Sequence, residues 1–151
     1  MITNLENAEY IKILNDNYIG HLAYIYQNKP FVIPITYYYD PKERRIIGYT
    51  GEGHKTHALQ LNNDVALEIS EIQTVNNWKS IMVRGTYKEL EGTEAKYELH
   101  KFALGVKNVI EEKDKKEFDF LSQFSSKTNS ETPPKVYHIS IQEITGKERE
   151  F

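Results

Sequence analysis

Six consecutive residues, Thr50, Gly51, Glu52, Gly53, His54 and Lys55, combine the residue types needed to hold a phosphate-like anion. Tyr49 and Thr50 read as the end of a strand, and His54 and Lys55 as the opening of a helix. The glycines between them let the loop turn tightly and let backbone N–H groups approach an anion. A helix N-terminus presents unpaired N–H groups and the positive end of the helix dipole. Two basic side chains there oppose the dipole of an isolated helix, and an anion seated at that end reverses the sign. Local conflicts of this kind tend to mark functional sites. An ordinary strand-to-helix turn with solvated basic residues has the same spacing. Neither Gly-x-x-x-x-Gly-Lys nor Gly-x-Gly-x-x-Gly occurs here, so a Walker loop and a dinucleotide-binding Rossmann unit are not indicated.

The second candidate is the strand at residues 31–39. One face carries Phe31, Ile33, Ile35, Tyr37 and Tyr39, the other Val32, Pro34, Thr36 and Tyr38. Neither face looks made for water, and a strand buried on both sides needs cover on both. A core supplies one cover. A partner subunit, a flat ligand or a peripheral helix supplies the other. Pro34 has no N–H and belongs at a gap or edge of the ladder. Other constellations are weaker. His54 and His57 share a helix but lack a third metal ligand. His21, His100 and His138 are scattered, with surface or structural roles as the default. Glu68 and Glu71 form no evident acid–base pair, and Ser80 has no visible base.

The elements that must position these groups follow from periodicity. Thr3 and Glu6 have capping-box spacing, and Leu5, Ala8, Ile11 and Leu14 continue at helical intervals, stopping near residues 15–17. Residues 21–26 and 30–39 read as a hairpin about a Gln27-Asn28-Lys29 turn. Asp40-Pro41 starts the next turn, and residues 45–50 form a third strand. A short helix at 54–61, a strand at 65–69 and a longer strand at 78–90 follow, with a bulge expected at Gly85. Residues 94–104 read as an amphipathic helix closed by Gly105. The charge run at 111–117 reads as a solvated helix surface or loop. Residues 125–134 read as a surface loop, and 135–144 as a last strand before a polar tail. Successive strands lack the helical crossovers of a parallel sheet. The expected fold is therefore mainly β: an antiparallel six-stranded barrel or half-open sheet with peripheral helices.

With 151 residues, 39% of them hydrophobic, the chain fits one domain with one core. A net charge of −3 argues against general nucleic-acid binding. The absence of cysteine excludes disulfides, thiolate metal sites and a cysteine nucleophile. No stretch approaches the ~20 apolar residues of a membrane span, and no apolar signal core opens the chain. A cytoplasmic location is the expectation. Eleven tyrosines suit half-buried strands.

Four motifs occur in order: His21-Leu22-Ala23, Pro30-Phe31-Val32-Ile33-Pro34-Ile35, Tyr49-Thr50-x-x-Gly53-His54-Lys55 and Trp78-x-Ser80-x-x-Val83-x-Gly85. Together with Ile139-x-Ile141-x-Glu143-Ile144-Thr145-Gly146-Lys147, this series resembles the pyridoxamine 5′-phosphate oxidase-like family of FMN-binding split β-barrels. Within that family it is most similar to the branch of nitroimidazole-resistance (Nim-type) proteins. The resemblance spans residues 5–147. It implies a homodimer with flavin mononucleotide (FMN) at the interface. Thr50, His54 and Lys55, framed by Tyr49 and Gly53, would hold the phosphate. Pro34, Ile35 and Thr36 would run beside the isoalloxazine ring, with Trp78 and Ser80 near it. Tyr49 stands where Nim-type members often have histidine, and His54 where arginine is frequent. Neutral imidazole offers one donor in place of a charged fork. Basic substrate contacts of the vitamin B6 oxidases have no clear counterpart in the tail. The implied function is an FMN-dependent oxidoreductase passing electrons from a reduced nicotinamide or similar donor to a small acceptor, a nitroaromatic being one class. A flavin-storage protein and a haem-binding split barrel are the alternatives.

Overall fold

The computed structural model describes residues 1–51, 53–114 and 135–151, without the side chains of His54 and Asp114. Chain order is β1 (Ile2–Asn4), α1 (Asn7–Asp16), β2 (Ile19–Tyr26), β3 (Lys29–Thr36), β4 (Tyr38–Asp40), β5 (Arg45–Thr50), α2 (His54–Leu61), β6 (Asp64–Thr74), β7 (Asn77–Glu89), α3 (Gly92–Asp114) and β8 (Lys135–Arg149). All pairings are antiparallel, in the order β3-β2-β6-β7-β8-β5-β4, with β1 added on β8.

The strands at the two ends of this path, β3 and β4, are separated in sequence by Tyr37 alone. The sheet must therefore curl until its ends nearly meet, which makes it a barrel with a split. Tyr37 anchors the corner: it is fully buried, its hydroxyl donates to the Leu14 carbonyl at 3.0 Å, and its N–H donates to the Tyr18 carbonyl at 2.9 Å. The two-faced run expected at 31–39 is thus broken at its middle.

The barrel interior is filled by inward residues of the curled sheet, among them Leu22, Ile46, Leu67, Ile69, Ile81, Val83 and Ile139, with Ile13 and Leu14 of α1. A second cluster joins Phe102, Ala103, Val106 and Ile110 of α3 to Ile47 and Val136 on the other face of β5 and β8. Beside this second cluster, on the same face of the sheet, lies an ion network. Arg45 meets Glu98 at 2.6 Å and Lys101 meets Asp40 at 2.9 Å, with Glu98 and Asp40 almost wholly buried. These contacts lock α3 over one half of the sheet.

Several expectations are corrected. Thr3 does not start a helix: with Asn4 it pairs with Glu148 and Lys147 of β8. The helix starts one turn later, where the Glu6 N–H donates to the Glu9 carboxylate at 3.4 Å. Gly105 does not end α3 but lies inside it, because a Cβ there would sit 2.3 Å from the Tyr38 ring. The last strand continues through Gly146 to Arg149, since its end pairs with both β1 and β7. Short β1 and β4 raise the strand count from six to eight among the described residues. The bulge at Gly85 is present as a register shift between Arg84 and Gly85. The charge run lies in α3 as far as Asp114; its remainder and the surface loop expected at 125–134 fall outside the described residues.

Candidate functional site

The β5–α2 junction places Thr50, Gly51, Gly53 and Lys55 at one end of the barrel. The first turn of any helix leaves N–H groups without intrahelical partners, and Gly53, the N-cap, supplies no side chain to satisfy them. The Thr56 hydroxyl donates to the Gly51 carbonyl at 3.0 Å and draws the loop against the helix. Gly53 has extended backbone that any residue adopts, so its glycine is not demanded by a turn. What Gly51 and Gly53 contribute is room: a Cβ at either would meet nothing within 4 Å.

Lys55 is half-buried, with its Nζ 6.0 Å from the centroid of the Tyr137 ring. Burial pushes its pKa below the usual lysine range, and no acidic neighbour among the described residues pulls it back. A partly desolvated cation without a counter-ion is costly. Beneath it, Tyr137 and Tyr87 pack with ring centroids 4.8 Å apart, and neither buried hydroxyl has a partner among the described residues. Gly48 makes room for this: a Cβ there would fall 2.5 Å from the Tyr137 hydroxyl.

The other predicted residues lie on the outer face of β2, β3, β6 and β7. Alternation puts Val32, Pro34 and Thr36 outward, while Ile35 is buried in the core, so only its backbone is available outside. Ser80 and Trp78 share this face, which no described element covers: Val32 is 63% and Ile19 51% exposed. Among the described residues no peripheral helix covers the outer face of β3. Tyr49 behaves differently. Its ring meets Phe102 of α3 edge-on at 5.6 Å, on the opposite side of β5 from the barrel interior.

Across this apolar face runs a polar chain. The Ser80 hydroxyl donates to Glu68 Oε2 at 2.9 Å, and Glu68 Oε1 lies 3.2 Å from His21 Nδ1. Strand pairing enforces it, with His21 opposite both Pro34 and Glu68.

The two groups of residues are joined by β2. Tyr26, at its C-terminal end, meets the His57 ring of α2 edge-on at 5.9 Å, and His21 pairs with Pro34 five residues away, ~17 Å at 3.3 Å per residue. A ligand spanning both within one chain needs an anionic head and a long flat body. The surface hollows lined by Asn7, Ile11, Tyr39 and Arg44, and by Lys12, Asp16 and Val109, lie on the α1 side, away from both groups. Among the described residues, no group of three or more His, Cys, Asp or Glu side chains could hold a metal. No described helix is long and apolar enough to cross a membrane.

A profile of the pyridoxamine 5′-phosphate oxidase family matches residues 6–148. The chain belongs to this family. A curated relative, an uncharacterized protein of Rhizobium meliloti (strain 1021), is 32% identical over 76 residues, which is 50% of this chain and 49% of that protein. The chain thus matches about half the length of that relative. The fold is shared with a FAD-binding protein of Mesorhizobium loti (TM-score 0.74, 23% identity, 100% of this chain and 98% of that one). It is also shared with a putative 5-nitroimidazole antibiotic resistance protein of Bacteroides thetaiotaomicron (TM-score 0.66, 19% identity, 98% and 87%). Both likenesses establish the split-barrel architecture.

In this family member the motif series therefore resolves into two places, one anion-suited and one flat and apolar. Sequence reasoning weighed Glu68 only as a partner of Glu71 and missed its link to His21 and Ser80; it gave Tyr87 and Tyr137 no role in the site. The buried tyrosines look like any core aromatic.

Proposed function

We propose that this protein binds flavin mononucleotide and acts as an oxidoreductase, passing electrons from a reduced nicotinamide or similar donor to a small acceptor such as a nitroaromatic. The observation that carries the reading is Lys55: a half-buried cation with no carboxylate beside it among the described residues, at an uncapped helix start flanked by open glycines. A phosphate monoester supplies both the missing counter-charge and acceptors for the first-turn N–H groups. Thr50 and Lys55, with the backbone of Gly53 and His54, would hold it. Pro34, Thr36 and the backbone of Ile35 would lie along the ring, with Trp78 beside it.

When bound, the flavin supplies the hydride and electron chemistry, while the protein positions it and excludes water. The bare apolar face supports a homodimer: Ile19, Ile25, Val32 and Met82 together form the kind of exposed patch that marks an interface. A second copy there would cover the cofactor and bring its own residues to it. The decisive experiment is the absorption spectrum of the purified protein followed by an FMN titration. Saturable binding with flavin bands near their usual positions is expected. A colourless protein without saturable FMN uptake refutes the proposal, and a Soret band on haem addition that FMN does not suppress replaces it with a haem-binding role.

A further inference from the structure

The Ser80–Glu68–His21 chain stands out because stability does not call for it. Exposed ion pairs of this kind contribute little, and its surroundings on the outer face, Ile19, Ala23, Val32, Pro34 and Met82, are apolar. Three strands, β2, β6 and β7, must hold register to assemble it.

The chain also has a direction. Ser80 donates to one oxygen of Glu68, and the other oxygen faces His21 Nδ1. An ionised carboxylate only accepts, so Nδ1 carries the hydrogen. Nε2 is then the free end of the chain and has no partner among the described residues. Other charges on this face include Arg84, paired with Glu143, Lys147, opposite Ser80, Arg149, opposite Trp78, and Asp64 at the start of β6.

We propose that His21 is the proton donor to an acceptor oxygen bound over this face, with Glu68 and Ser80 as positioning residues. The proposal rests on the flavin reading, because His21 pairs with Pro34 of the strand assigned to the flavin ring. For a nitro acceptor the balanced step is R–NO2 + 2e− + 2H+ → R–NO + H2O. An N–O bond breaks and the departing oxygen leaves as water. The electron pair originates in the reduced nicotinamide donor. One proton comes from Nε2 of the imidazolium, the second from solvent. The neutral ring left behind carries its hydrogen on Nδ1, which is the tautomer Glu68 holds. Bulk water then reprotonates Nε2.

The test compares FMN-loaded wild type, His21→Gln and Glu68→Gln, with NADH as donor and p-nitrobenzoate as acceptor. FMN affinity should change by less than about threefold in both variants, because neither residue belongs to the phosphate group. Turnover should fall about 100-fold in His21→Gln, the low end of general-acid contributions, and about tenfold in Glu68→Gln with KM nearly constant. Where the ring is neutral, imidazole 15N spectra should show the Nδ1–H tautomer in wild type and a mixed tautomer in Glu68→Gln, and the Nε2 signal of wild type should move on adding p-nitrobenzoate. FMN-loaded His21→Gln that turns over within twofold of wild type overturns the proposal. So does an Nε2 signal unmoved by p-nitrobenzoate, or FMN-loaded wild type without turnover. Failure of wild type to bind FMN brings down the flavin reading with it, whereas retained FMN with unchanged turnover brings down this assignment alone.

Discussion

Replacing Lys55 by methionine separates a binding role from a structural one, because the two predict opposite signs. Methionine keeps the length and apolar stem of lysine but removes the charge. In the free chain the Lys55 ammonium is half-buried, its pKa is lowered by burial, and no carboxylate of the described residues offsets it. The folded state therefore binds this proton less readily than the unfolded state does. The charge costs stability at all pH values below the unfolded pKa near 10.4, and the cost disappears only as pH rises through that range. Lys55→Met should thus leave the ligand-free protein as stable as wild type or slightly more so. FMN binding should weaken instead. One charge-assisted contact is worth roughly 1.5–3 kcal/mol, which is about a 10- to 150-fold rise in Kd. Fluorescence quenching of FMN gives the affinity, and thermal melts with and without FMN give the stability. Wild-type affinity should also decline as pH rises through the lowered lysine pKa, and this slope should vanish in the variant. A variant that melts several degrees lower without ligand, yet binds FMN within twofold of wild type, would show Lys55 to be a packing residue and refute the phosphate assignment.

Two further outcomes test the scaffold. Gly85→Ala places a Cβ 2.3 Å from the Ser140 carbonyl oxygen at the bulge; backbone must move, and overpacking of this kind costs about 1–3 kcal/mol, seen as a Tm lower by roughly 2–12 °C for a chain of this size. His138 is buried against α3, and its pKa is lowered first by burial, then by Arg45 and Lys88, against partial opposition from Glu94 and Glu98. Its stabilising contribution is complete above the unfolded pKa near 6.5 and is lost as pH falls through the lowered folded value. His138→Gln should flatten the decline of Tm as pH falls below about 6.5, and an unchanged decline in that variant would assign the acid sensitivity elsewhere.

How far the sequence could be read depended on how local each signal was. Residues 54–61 and 78–90 announced their elements by composition and periodicity, and the Gly85 bulge by a glycine inside a strand. The break at Tyr37 was invisible, because Tyr37 continues the alternation of its neighbours; what ends β3 there is the corner bonded to Leu14 and Tyr18. Gly105 and Gly146 were misread for a related reason. A glycine that ends a helix and one that admits an aromatic ring look alike until the partner, Tyr38 or Tyr10, is in place. In the candidate site, Thr50 and Lys55 are neighbours in sequence and could be paired on paper. His21 and Glu68 are 47 positions apart and meet only through the β2–β6 register.

The edge of the sheet bears on where the proposed partner would sit. An unprotected edge strand invites another strand to add to it. Here β3 is the edge, and it carries Pro30 and Pro34, each of which removes a ladder N–H. Addition of a strand along β3 is therefore disfavoured, although the adjoining outer face is apolar and bare. For the proposed homodimer this favours packing face against face over β2, β3, β6 and β7, with β3 left in part for a flat ligand rather than for another strand. The same face holds the only polar chain with a free imidazole end that the described residues place there. Covering it would desolvate Ser80, Glu68 and His21 together, a cost their mutual hydrogen bonds offset in part, and it would leave Nε2, a donor only in the imidazolium, facing whatever the interface encloses.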